Sequence, residues 1–230
     1  MTPPDPSKYP VMEFRRYTLH PGRRETLIEL FEREFIAGQE DVGMYISGQF
    51  RNLDDPDQFV WLRSFPDMEA RKRALEAFYF GPVWQAHRDA ANATLIDSDN
   101  VFLLRPARVG TGFISEGRRN EAGGIVVAEI FPLLENHAAD FSTFFEHDLE
   151  PVLLGAGAST LASYVTEPSE NTFPRLPVRT DTTVFVWFSW FDDELAYTRY
   201  RTTRERSLQE RHELMKHLAS QLQAATESLR

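Results

Sequence analysis

Polar and apolar residues alternate from Val11 to Leu19 (VMEFRRYTL), so Glu13, Arg15 and Tyr17 fall on one face of a strand and Met12, Phe14 and Arg16 on the other. After Pro21-Gly22 the period changes. Leu27, Leu30, Phe31 and Phe35 recur at the spacing of a helix's buried stripe, which predicts a helix to about Gly38. Strand patterning returns over Met44–Arg51 and Gln58–Phe65, on either side of the turn Leu53-Asp54-Asp55-Pro56-Asp57, and predicts a hairpin. Asp67 then opens a helix that breaks at Gly81-Pro82 and resumes to about Leu95, and Asn100–Arg105 reads as a closing strand. The order βαββαβ is a ferredoxin-like unit.

The pattern then comes round again. At a shift of 114 residues, Leu27, Leu30, Phe31 and Phe35 become Phe141, Phe144, Phe145 and Leu149, while Glu32 becomes Glu146, Gly43 becomes Gly157 and Phe50 becomes Tyr164. At a shift of 126, FVWLRSFPD (59–67) becomes FVWFSWFDD (185–193). The 12 extra residues fall in the Pro-rich stretch Glu167–Asp181, a natural lid or oligomer arm. Ile125–Leu133, Asn136–Leu149, Ser159–Thr166, Thr183–Trp190 and Asp192–Ala225 therefore repeat the first half, read as a duplication. A last strand of this second copy would have to start near Ser228. Either it lies outside this sequence, or the second sheet closes with three strands or a borrowed one.

A ferredoxin-like sheet covers one face with its helices, and an apolar second face must find a partner sheet. Two copies on one chain supply each other's partner. The expected fold is α+β, with two tandem ferredoxin-like βαββαβ units forming an intramolecular dimeric α+β barrel. The expected division is a first domain over 9–106, a linker over 107–123 and a diverged second repeat over 124–230.

Composition narrows the function. A net charge of −10 and a pI near 5.1 argue against nucleic acid or an anionic membrane as partner. With no cysteine, disulfides, thiolate catalysis and Cys-ligated metals are excluded. The start MTPPDPSKYP has no apolar core of a secretory signal, and no apolar run reaches membrane-spanning length, so a cytoplasmic location is expected.

The opening Val11–Arg23 (VMEFRRYTLHPGR), with its Glu-x-Arg-x-Tyr strand and Pro-Gly helix start, resembles NIPSNAP domains. Trp84-Gln85-Ala86 after the broken helix and the closing Leu103-Leu104-Arg105-Pro106 are similar to the same family, so the resemblance spans about residues 11–106. The second half keeps Glu129 but is read with Phe131 and Leu133 in the places of Arg15 and Tyr17. The resemblance implies the dimeric α+β barrel superfamily, which includes cofactor-free monooxygenases, haem enzymes and ligand-binding stress proteins. It implies no single reaction, so the fold licenses a pocket and not a chemistry.

Phosphate loops, nucleophile elbows and His-Glu-x-x-His are absent from the sequence, and it calls for no cofactor and no metal. Asp54–Asp57 and Asp97–Asn100 read as turns, and His212 and His217, five residues apart, are too far round a helix to share a metal. The stripe Glu13, Arg15 and Tyr17 is the candidate catalytic set: a base or acceptor, an anion or carbonyl clamp, and a donor. The competing reading is a network that pins the sheet. Trp61 is a candidate wall of the same pocket. Pro82 suits a first helical position, and Trp84 and His87 follow it one turn apart, as packing, as a pocket wall or, for His87, as a haem ligand. Two functions compete. One is a small-molecule protein, cofactor-independent and oxygenase- or isomerase-like if an enzyme, with a small apolar or aromatic ligand. The other is a non-catalytic scaffold. The chain is expected to be a fused pseudo-dimer as a monomer, or to pair again as a homodimer.

Overall fold

The computed structural model describes residues 5–114, 124–134 and 136–228, with side chains of the last helix described to 212 and at 216. The alternating segment Val11–Leu19 is strand β1, at the centre of the first unit. The apolar stripe behind it forms helix α1 (Arg24–Leu30), a π-helical stretch at Phe31–Phe35, and α2 (Ile36–Glu40). The hairpin is β2 (Tyr45–Arg51) and β3 (Gln58–Phe65). Asp67 caps α3 (Met68–Tyr79) by accepting the Ala70 N–H, and α4 (Pro82–Asn92) restarts at Pro82. Helix α4 stops sooner than its pattern suggests. Thr94 turns its hydroxyl onto the Ala91 carbonyl, and Leu95–Asp97 becomes a short strand, β4, at the end of β1 before β5 (Val101–Pro106).

The second unit runs β6 (Ile125–Leu133), α5 (Ala138–Phe144), a π-helical stretch Phe145–Leu149, α6 (Glu150–Gly155), β7 (Ser159–Thr166), β8 (Thr183–Phe191) and α7 (Glu194–Ser228). Among the described residues no strand follows β8, so this unit has three strands. Its likeness to the first extends below the pattern of elements. The π-helical stretches sit 114 residues apart, as do the positive-φ glycines Gly43 and Gly157 and the irregular pairings at Ile46/Gly48 and Thr160/Ala162.

All strands join one antiparallel sheet of order β2-β3-β1-β5-β7-β8-β6, with β4 beside β1. The seam is β5 against β7. This sheet curls back on itself: Phe14 on β1 and Phe188 on β8 lie 5.5 Å apart, although β5 and β7 stand between their strands. Met12, Phe14, Leu62, Phe102, Val186 and Phe188 fill the concave interior, and the helices pack on the outer faces over two further cores. This is the architecture of two tandem ferredoxin-like units closing on each other, as the sequence leads one to expect.

Two readings change. Arg15 faces Trp61 across β1 and β3, while Glu129 faces Trp187 across β6 and β8. The shift of 114 therefore holds through the first strands, and Glu129 stands in the place of Arg15 and Phe131 in that of Tyr17. A two-residue slip leaves every side chain on the same face, so alternation could not detect it. The stretch Glu167–Asp181, expected as a lid or oligomer arm, packs against its own chain. It straps the first unit: Phe173 is buried and stacks on Tyr79 at 5.9 Å, and the Arg179 N–H bonds the Val101 carbonyl.

Candidate functional site

Strand β1 turns Met12 and Phe14 to the barrel interior, so the other face, with Glu13, Arg15 and Tyr17, lies under the helices of the first unit. There the sheet supplies Arg63 on β3 directly opposite Glu13, and α3 supplies Arg71 from above. The Glu13 Oε2 accepts from Arg15 Nη1 at 2.5 Å and from Arg63 Nε at 2.7 Å, while Oε1 accepts from Arg71 Nε at 2.8 Å. All four side chains are at most 1 % exposed.

Three guanidinium groups around one carboxylate leave two positive charges in excess, and neighbouring oxygens take up several of their N–H groups, while Arg63 Nη2 finds no hydrogen-bond partner among the described residues. Tyr17 Oη accepts from Arg15 Nε at 2.9 Å, Gln39 Oε1 from Arg63 Nη1 at 3.0 Å, and Asn171 Oδ1 and Thr172 Oγ1 from Arg71 Nη1. The guanidinium carbons of Arg15 and Arg63 lie 5.5 and 5.1 Å from the centre of the Trp61 ring, whose negative face stabilises both. Burial by itself would raise the Glu13 carboxyl, but Arg63, Arg15 and Arg71 outweigh it and hold the group well below the usual carboxylate range. Burial raises the Tyr17 phenol, which stays neutral. The cluster is thus a permanent ion network, with no carboxyl poised to exchange a proton near neutral pH.

The structure brings Glu13, Arg15, Tyr17 and Trp61 together. Trp84 is one step removed: it packs on Tyr79 at 4.9 Å, and Tyr79 Oη lies 3.5 Å from Arg63 Nη1. Trp84 also closes against Phe35 and Phe78, filling the angle between α3 and α4. Gly81 permits this bend, since a Cβ there would stand 2.5 Å from the Ala77 carbonyl. His87 lies outside the cluster, against Phe35 and 3.3 Å from Glu34, and is about one-third exposed. Sequence reasoning missed Arg63, Arg71 and Gln39. Their signals were present: Arg63 is a lone charge inside an aromatic strand, and Arg71 falls on the buried stripe of Ala74, Leu75 and Phe78.

The second unit keeps a smaller, inverted version. Glu129 accepts from Tyr200 Oη at 3.0 Å and Arg204 Nη1 at 2.6 Å, both on α7. Among the described residues, concavities open to solvent lie on both units. One, of about 250 Å³, lies between β7 and the α5 region and is lined by Ser142, Phe145, Glu146 and Thr160. Another, of about 460 Å³, runs along β2 beside Ile28, Glu32 and Ile36. Among the described residues no three His, Asp or Glu side chains gather as a metal would require, and no helix is long and apolar enough to cross a membrane.

An antiparallel sheet curled into a half-closed barrel with helices outside defines a protein of the ferredoxin-like α+β barrel class. A candidate monooxygenase of Fusobacterium nucleatum shares this fold at a TM-score of 0.53 and 8% identity, covering 93% of this chain and 88% of that one. A second candidate monooxygenase, from Lactobacillus acidophilus, does so at 0.53 and 12%, covering 88% and 87%. Residues 12–110 match the family model for NIPSNAP. A NIPSNAP-like domain protein of Burkholderia xenovorans is 30% identical over 40% of this chain and 80% of that one, with a TM-score of 0.37. The chain belongs to the NIPSNAP family, whose members have no settled activity. The curated proteins contain no match.

Proposed function

We propose that this chain is a non-catalytic interaction protein, a duplicated NIPSNAP fold that acts through its surface. One observation carries the reading: Glu13, Arg15 and Tyr17 spend their polar atoms on one another and on Arg63 and Arg71, away from solvent and away from the barrel interior. In this reading the three residues, with Trp61 and Trp84, hold the first unit in register, and His87 is peripheral. The buried rings of Phe14, Phe102 and Phe188, where Phe14 meets both of the others inside the barrel, support it too.

The 250 Å³ concavity beside Ser142, Glu146 and Thr160 favours a second reading, a protein that binds or transforms a small, largely apolar molecule. The candidate monooxygenases that share the fold lend it a cofactor-independent oxygenase-like chemistry, or an isomerase-like one. Titration of the full chain with an apolar fluorescent probe such as 8-anilinonaphthalene-1-sulfonate, alongside oxygen uptake with phenolic substrates, separates the two. The interaction reading expects no saturable probe binding and no uptake. Turnover, or a one-to-one micromolar complex that a bound partner segment does not displace, would overturn it.

A further inference from the structure

At the seam between the two units, strand β7 is completed by more than β5. The chain leaving β5 continues along the same edge: the Ala107 N–H bonds the Ser163 carbonyl, and the Ser163 N–H bonds the Thr111 carbonyl. Arg108 forms an ion pair with Glu146 and donates to Thr143 Oγ1 at 3.1 Å. Phe113 then covers Tyr164, with ring centres 5.6 Å apart and its N–H on the Tyr164 Oη. The segment 101–113 thus pairs with β7 through the end of β5 and then turns at 108–111 along the same edge, where its arginine and aromatic side chains read a glutamate and a ring on the receiving unit.

The same receiving surface exists in the first unit, 114 residues earlier. Strand β2 takes the place of β7 with its irregular pairing at the equivalent position, Glu32 takes the place of Glu146, Gln49 that of Ser163 and Phe50 that of Tyr164. Among the described residues no strand pairs with the outer edge of β2. The 460 Å³ groove lies there instead, between that edge and the α1–α2 region. Gln49 lines it with an Oε1 that is shielded from solvent and has no partner among the described residues. Glu32 and Glu40 make the groove acidic, and its one cation, Arg51, is already held by Glu25 at 2.6 Å. A second copy of a chain of net charge −10 is poorly matched to such a groove.

We propose that the outer edge of β2 is a strand-addition site for an extended segment of a partner protein, with an arginine placed to meet Glu32 and an aromatic side chain placed to cover Phe50. The proposal rests on the reading of the chain as an interaction protein and names the chemistry of the partner. Backbone pairing with β2 supplies affinity, and the arginine and ring supply specificity.

The probe is a labelled synthetic peptide with the sequence of residues 101–113, titrated into the full chain by fluorescence anisotropy. One-to-one binding is expected. Glu32→Arg should weaken it about tenfold, as should replacement of the peptide's arginine at the Arg108 position by glutamate. Combining the two changes should restore most of the loss. Absence of saturable binding, or binding indifferent to Glu32→Arg, would overturn the proposal. So would weakening by Glu146→Arg instead, which would place the peptide at β7, or a concentration-dependent dimer abolished by Gln49→Pro, which would make a second copy the occupant. Failure here leaves the interaction reading standing if the apolar probe is still excluded. Stoichiometric binding of that probe that the peptide does not displace sinks the interaction reading.

Discussion

Glu13 and Arg63 face each other across β1 and β3, joined Oε2 to Nε at 2.7 Å, and neither side chain reaches solvent. With Arg15 and Arg71 on the same carboxylate, this pair ties the central strand to its neighbour and to α3 at one point. Removing the carboxylate strands three buried cations. Glu13→Gln should therefore destabilise the fold by about 3–5 kcal/mol, measured as a lower urea midpoint at unchanged slope. A loss below about 1 kcal/mol would mean that water already reaches the cluster.

The same carboxyl sets an acid limit. Its folded value is held below the ordinary 4.5, so its contribution is full above that value and is lost as pH falls through and below it. Stability of the native chain should decline from about pH 4.5 downward. Glu13→Gln should flatten that part of the curve, and an equally steep decline in the variant would assign the acid sensitivity to other groups.

At the alkaline end Tyr164 acts in the opposite sense. Burial pushes its phenol up from 10.0 to about 12, so the unfolded chain loses this proton first. Stability should fall between about pH 10 and 12 by roughly 2–3 kcal/mol, and Tyr164→Phe should remove much of that slope. Parallel curves for the two proteins would contradict the burial of this group.

The strap gives a further test of the union of the two units. Phe173→Ala should cost about 3–5 kcal/mol, and a double-mutant cycle with Tyr79 should return a coupling of about 1 kcal/mol. Additive effects would show that the stacked pair does not hold the strap.

At the broken helix the expectations diverge between neighbours. Gly81→Ala forces a Cβ against the Ala77 carbonyl and should destabilise by about 1–3 kcal/mol. His87→Ala removes a partly exposed contact with Glu34 and an edge contact with Phe35, and should cost under about 1 kcal/mol. Thermal denaturation of the pair checks both, and a large loss at His87 alone would point to a hidden role.

The architecture was legible because alternation in β1, the short aromatic and β-branched runs of β3 and β8, and the stripe of Leu27, Leu30, Phe31 and Phe35 carry the signals of strand and helix. The direction in which β1 faces was not. Both of its faces are covered in the fold, and alternation separates Glu13, Arg15 and Tyr17 from Met12 and Phe14 without saying which set meets the helices. The partners that decide the matter, Arg63 and Arg71, come from 50 and 58 residues away. The role of Glu167–Asp181 was hidden for the same reason, since Asn171 meets Arg71 across 100 residues. The π-helical turns at Phe31 and Phe145 left no mark, because one extra residue in a turn barely disturbs an apolar stripe.

The most direct measurement of the central claim is hydrogen exchange at the guanidinium Nε–H groups of Arg63 and Arg71, followed by nitrogen-15 NMR in the ligand-free chain. Both protons are held by the Glu13 carboxylate beneath the helices. A closed structural network predicts signals that persist in heavy water until the fold itself opens, with protection close to that of the core amides of β1. Exchange as fast as in an exposed arginine would mean that solvent enters this cluster freely, and the search for a reacting site would return to Glu13, Arg15 and Tyr17.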